Sequence, residues 1–241
     1  MIQRSTSRWS QFSAAAVHLY TASGAVLAFL MVLAAIQRNA VLALWISLIT
    51  LIVDGTDGSL ARRFRVSEML PWFDGRRLDD IVDYLTYVFA PILLIWQLDL
   101  LPEGIGGMII AALPLLASSY QFCRVDAKTD DNFFLGFPSY WNVIAFYAIV
   151  LNLSPMTVGA VLIFCSIMVF VPIRYLYPTR TKAFRSITLT LSAGWLVSFV
   201  LILLQMPNPN PLLVNFSLLY MVYYVVMSLA MTYTTMRHKR L

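Results

Sequence analysis

Ala40-Val-Leu-Ala-Leu-Trp-Ile-Ser-Leu-Ile-Thr-Leu-Ile-Val53 runs into Asp54-Gly-Thr-Asp57-Gly58-Ser-Leu-Ala61-Arg62. After a spacer, Gly75-Arg-Arg-Leu-Asp79-Asp-Ile-Val-Asp83 runs into Tyr84-Leu-Thr-Tyr87-Val-Phe-Ala-Pro-Ile-Leu-Leu-Ile95. Two apolar runs thus carry two aspartates each at their facing polar ends. An ionised carboxylate at membrane depth costs at least ~2.5 kcal/mol, so four on adjoining segments need a compensating cation. Hard oxygen ligands in pairs point to a divalent metal. Residues three or four apart share one helix face, so Asp54 with Asp57, and Asp79 with Asp83, each form a stripe. At ~1.5 Å rise per residue, Asp54 and Asp57 lie ~21 and ~26 Å along a span that begins near Ala40. Asp83 and Asp79 lie ~24 and ~30 Å along the next span, measured from its end near Asp99. Sequential antiparallel helices are usually neighbours, so the pairs meet at one level near a boundary of the ~30 Å hydrocarbon layer.

The rest of the chain has the same character. Of 241 residues, 60% are hydrophobic and 12% charged, which is far from a soluble globular composition. The reading is an all-α integral membrane protein, one multi-pass domain over residues 1–241. About eight transmembrane helices are expected, near 14–36, 40–60, 79–98, 104–123, 138–153, 156–176, 184–205 and 211–233. With both termini cytoplasmic, every one of the seventeen basic residues except Arg38 falls on the cytoplasmic side, as the positive-inside rule requires. The net charge of +5 is then topology and attraction to anionic lipid, and no soluble basic domain exists to bind nucleic acid. Residues 1–13, with Ile2, Trp9 and Phe12 among Arg and Ser, fit a short interfacial helix. The first apolar run is too long for a signal-peptide core. Cys123 and Cys165 lie at different depths and read as small buried hydrophobes rather than a disulfide.

Gly58 removes a side chain beside Asp57 and Ala61 keeps the same face low, which opens space for a ligand rather than filling it. Arg62 can hold a diphosphate or brace an aspartate. Asp80 sits about 100° round from Asp79 and reads as a charge complementing the helix dipole. Flanking arginines leave two other readings open: structural ion pairs, or an ion pathway through a transporter.

The segment 54–83 resembles the signature of the CDP-alcohol phosphotransferases, D-x-x-D-G-x-x-A-R followed by G-x-x-x-D-x-x-x-D. Each fixed letter is present, as Asp54, Asp57, Gly58, Ala61, Arg62, Gly75, Asp79 and Asp83. The spacer between Arg62 and Gly75 is longer than is usual in the family, and in this the chain is similar to the bacterial phosphatidylcholine synthases. Leu44-Trp-Ile-Ser47, Val82-Asp-Tyr-Leu-Thr-Tyr-Val88 and Phe133-Phe-Leu-Gly-Phe-Pro-Ser-Tyr-Trp-Asn142 extend the likeness. The resemblance implies transfer of the phosphatidyl group from CDP-diacylglycerol to choline with Mn²⁺ or Mg²⁺, at the cytoplasmic side of a bacterial inner membrane. It implies Asp54, Asp57, Asp79 and Asp83 as the metal-site residues, the first three as direct ligands and Asp83 close to the metal and acting also as general base. It implies Gly58, Ala61 and Arg62 as nucleotide contacts. Thr21, from His18-Leu-Tyr-Thr21, and Ser67 are further nucleotide candidates. A homodimer is implied by relatives alone.

Choline carries a quaternary ammonium, which aromatic faces recognise for ~0.5–2 kcal/mol each. Tyr84, Tyr87, Tyr140 and Trp141 are the candidates, against their ordinary place in an interfacial belt. Asp126, Asp130 and Asp131 form either an attracting patch or a solvated loop. Serine, inositol or glycerol phosphate are the alternative acceptors. A phosphorylated one would want basic residues such as Arg174, Arg180, Lys182 and Arg185 facing the site.

Overall fold

The computed structural model describes residues 8–238. The chain opens with α1 (Arg8–Ile36) and α2 (Ala40–Arg63), joined by a tight turn in which Asn39 caps α2 by accepting from Leu42 N at 3.0 Å. A short helix, α3 (Val66–Met69), lies in the spacer. The third pass is continuous from 75 to 97: α4 (Gly75–Asp83), a π-helical stretch (Tyr84–Phe89) and α5 (Ala90–Gln97). Pro91 explains the π stretch. It supplies no N–H to the carbonyl of Tyr87 and its ring crowds that oxygen, so the helix ahead of it widens.

Then come α6 (Ile105–Cys123), α7 (Trp141–Val150), α8 (Pro155–Met168), α9 (Arg185–Leu204) and α10 (Pro211–His238). Every expected pass therefore has its helix, in the expected order. Among the described residues five helices are long and apolar enough to cross a membrane: α1, α2, α6, α9 and α10. The chain is an all-α multi-pass membrane protein.

Three expectations are corrected. Residues 8–13 continue α1 without a break rather than forming a separate interfacial helix, and residues 1–7 lie outside the described residues. The passes expected over 138–153 and 156–176 are shorter, with α7 ~15 Å and α8 ~21 Å long. Gly136 and Ser139 both adopt positive φ around Pro138, which delays α7 to Trp141. Pro172 prevents α8 from continuing. The freed segments pair instead: β1 (Phe133–Leu135) lies antiparallel to β2 (Arg174–Leu176), with Phe133 opposite Leu176. Finally, Cys123 is exposed at the end of α6; both cysteines are free.

Close approach at two glycines positions the third pass against the first. A Cβ on Gly24 would fall 2.5 Å from Val82 Cγ1, and one on Gly75 would fall 2.6 Å from His18 Cε1. The main core gathers Met31, Leu44, Leu94, Phe146 and Phe199, where the Phe146 and Phe199 rings sit 3.8 Å apart. A second core around Ile92, Ile95, Trp141 and Leu162 ties α5 to α7 and α8. At one end, Arg38 pairs with Asp99, setting the α1–α2 turn beside the turn after α5. The β1–β2 ladder joins the loop before α7 to the loop after α8, so both loops leave the bundle at one end.

Candidate active site

α2 presents Asp54 and Asp57; α4 presents Asp79 and Asp83. Ligand-capable oxygens of Asp54, Asp57 and Asp79 all lie within 4.8 Å of one another. Asp57 is 6% exposed, while Asp54, Asp79 and Asp83 are half-buried. Asp83 stands outside that mutual triangle but within hydrogen-bonding reach of Asp54. Two unit charges as far apart as 4.8 Å, the limit within the triangle, repel by about 3.5 kcal/mol at an effective dielectric of ~20. Among the described residues none of these carboxylates has a basic partner at ion-pair distance. These aspartates are thus not members of a structural ion-pair cluster among the described residues. Three crowded oxygen ligands without an ion-paired counter-charge fit a divalent cation.

Neighbouring hydroxyls orient the carboxylates. Thr21 donates from Oγ1 to Asp57 Oδ2 at 2.9 Å, which places this α1 residue at the site. Tyr87, on the π stretch one turn beyond Asp83, donates its hydroxyl to Asp54 Oδ2 at 2.7 Å. Lys128, on the loop before β1, lies near Asp54, Asp79 and Asp83 but beyond ion-pair distance. Sequence reading gave Lys128 no role; its proximity depends on how that loop folds back.

The other predicted residues divide. Gly58 is half-buried, and its missing Cβ leaves room beside Arg62 and Arg180. Arg62 donates to Ser59 Oγ at 3.0 Å. Ala61 packs on the small cluster of Ala14, Val17, Val66 and Leu70 that fixes α3. Ser67 is exposed on α3 and makes no hydrogen bond to the aspartates among the described residues. Tyr140 joins Tyr87, with ring centroids 6.2 Å apart. Tyr84 instead turns to α6, donating to Leu115 O at 3.1 Å. Trp141 is fully buried and donates from Nε1 to Ser118 Oγ at 2.7 Å, so it is a core residue.

Aromatic residues that sequence reading passed over complete the surroundings of Tyr140. Phe134 lies 6.3 Å from it and stacks on Tyr177 at 4.6 Å, and Tyr224 of α10 lies 6.1 Å away on another side. Their signal was hidden because the short ladder that gathers them joins segments about forty residues apart. The acidic loop is engaged rather than free: Asp126 accepts two 2.7 Å bonds from Arg124, and Asp131 accepts from Arg174. The Arg124 hydrogen bonds hold the Asp126 carboxyl below the ordinary aspartate range.

No protein-family model matches the chain. Individual proteins do. A protein named phosphatidylcholine synthase from Legionella pneumophila is 40% identical over 234 residues, covering 93% of this chain and 91% of its own length. One of the same name from Pseudomonas aeruginosa is 40% identical over 200 residues, covering 83% of each chain. A third, from Legionella bozemanae, is 39% identical over 204 residues, 82% of this chain and 94% of its own. With its acidic signature assembled at the meeting of α2 and α4 and likeness of this extent, the chain belongs to the phosphatidylcholine synthase family.

Proposed function

We propose that this chain transfers the phosphatidyl group of CDP-diacylglycerol to choline, giving phosphatidylcholine and CMP. The observation that carries the reading is the Asp54–Asp57–Asp79 triangle with Asp83 beside it. Family membership argues for a transferase over a transporter, and the relatives' shared name favours choline over serine, inositol or glycerol phosphate.

Asp54, Asp57 and Asp79 would hold Mn²⁺ or Mg²⁺, which when bound offsets phosphate charge and stabilises the departing CMP. Thr21 and Tyr87 hold Asp57 and Asp54 in place through the hydrogen bonds described above. Gly58, Ala61 and Arg62 form the nucleotide face, with Ser67 at its rim. Choline's hydroxyl oxygen bonds to the lipid-side phosphorus while the bond from that phosphorus to the CMP oxygen breaks. Asp83 takes the hydroxyl proton as the new bond forms. A carboxylate is a weak base for an alcohol, so positioning and charge stabilisation account for most of the acceleration. Tyr87 and Tyr140, with Phe134, offer π faces to the trimethylammonium head. The site lies at the cytoplasmic boundary of the inner membrane in this reading, with acyl chains in lipid and the polar substrates reaching it from water.

The test is a detergent-purified preparation given CDP-diacylglycerol, Mn²⁺ and each of choline, serine, inositol and glycerol phosphate, with the lipid product identified. CMP and phosphatidylcholine in equal amounts are expected. Another lipid product would reassign the acceptor, and no metal-dependent CMP release would end the transferase reading.

A further inference from the structure

Arg180 reaches the same patch of α2 as Arg62 from a remote part of the chain. A Cβ on Gly58 would lie 3.4 Å from Arg62 Nη1 and 3.8 Å from Arg180 Nη2. Two guanidinium groups over one glycine repel each other unless an anion lies between them.

The loop that presents Arg180 is held firmly. The backbone N–H groups of Arg180 and Thr181 both donate to Tyr177 O, at 2.9 and 2.8 Å. Thr181 is buried, accepts at Oγ1 from Tyr177 N at 2.8 Å, and donates to Asn132 O at 2.6 Å. The Arg180 guanidinium lies 5.6 Å from the centre of the Tyr177 ring, which in turn stacks on Phe134. The two other arginines near this ladder each have a carboxylate: Arg124 holds Asp126 and Arg174 holds Asp131. Among the described residues, Arg62 and Arg180 have none. Their positive charge is therefore placed, exposed and unpaired beside a carboxylate triangle suited to a cation. A ligand carrying several phosphate oxygens satisfies both halves at once, since a guanidinium fork matches phosphate geometry.

We propose that Arg180 is a substrate-binding residue that joins Arg62 in gripping the diphosphate of the nucleotide-activated lipid. The β1–β2 ladder then supplies one wall of the phosphate site, and α2 supplies the other. This rests on the reading that CDP-diacylglycerol is the donor. Choline has no phosphate, so the arginine pair serves the donor and not the acceptor.

The experiment measures CDP binding to the purified full-length protein in Mn²⁺ by calorimetry, with KM values for CDP-diacylglycerol and choline alongside. Arg180→Ala should weaken CDP binding roughly tenfold or more, the loss expected for a hydrogen bond to a charged group. Arg180→Lys should lose less, because charge remains while the fork is gone. Lys182→Ala, an exposed cation on the same loop, should bind CDP like the parent. The donor KM should rise in Arg180→Ala while the choline KM stays put. Matching elution and thermal unfolding of Arg180→Lys and the parent keep misfolding from imitating the effect. CDP binding by Arg180→Ala within about twofold of the parent would overturn the inference alone, as would a rise confined to the choline KM. A parent protein that bound CDP but made no phosphatidylcholine would overturn the choline reading while leaving the arginine pair standing. A parent that bound no CDP would overturn both.

Discussion

Asp57 and Asp54 are each held by one hydroxyl, and that asymmetry separates their behaviour from Asp83. Replacing Tyr87 with Phe removes the only hydroxyl donor on Asp54 among the described residues while preserving the ring. Partners that orient metal ligands typically account for 10- to 100-fold in metal affinity, so Tyr87→Phe should raise the Mn²⁺ concentration for half-maximal activity about tenfold. Titrating Mn²⁺ against CMP release measures this, and an unchanged midpoint would show that the contact does not orient Asp54. Asp83→Asn should differ in kind, leaving CDP and metal binding near the parent values while abolishing turnover; substantial CMP release by that variant would remove Asp83 from the base role. Sequence spacing was enough to group the four aspartates, because i, i+3 and i, i+4 positions share a face in any helix. It did not separate Asp83 from the other three, nor find Tyr87 as a carboxylate partner. Those depend on the crossing of two helices and on a π stretch that only the bundle reveals.

The third pass sits where it does because α1 lets it approach. Gly24 faces Val82 and His18 faces Gly75, so small residues on opposite partners set the crossing that carries Asp79 toward Asp57. Val82 is β-branched and stiff in a helix, which leaves it little freedom to move aside. Gly24→Ala should therefore destabilise the protein by about 1–3 kcal/mol, the usual range for overpacking. By shifting α4 it should also raise the Mn²⁺ concentration needed for half-maximal activity. A thermal unfolding midpoint in detergent equal to the parent's would show that the contact is loose. Gly75 is legible in the signature as a fixed letter, yet its physical purpose, room for the His18 ring, appears only when α1 is folded against α4. The shortened α7 and α8 have a local cause in Gly136 and Pro172. A Cβ on Gly136 would fall 2.1 Å from Val169 O, so this glycine is required both by its φ of 82° and by space.

The alternation of passes places the α1–α2 turn at one end and the carboxylates, α3 and the β1–β2 ladder at the other. With Cys123 and Cys165 replaced by Ser, a cysteine introduced at Ser67 should react with a membrane-impermeant thiol reagent in inside-out vesicles and stay silent in spheroplasts. One introduced at Arg38 should do the reverse. Reaction of both from one side would refute the alternating arrangement. Membrane class, the order of passes and the meeting of the two aspartate pairs were legible in one dimension, because hydrophobic length and helical spacing are local properties of the chain. The triangle's membership, the hydroxyls that orient it, the ladder between two distant loops and the meeting of Arg62 with Arg180 were settled only by folding. Each needs segments far apart in sequence to come within a few ångströms, and that separation is fixed by packing at glycines and by loop geometry rather than by the composition of either segment.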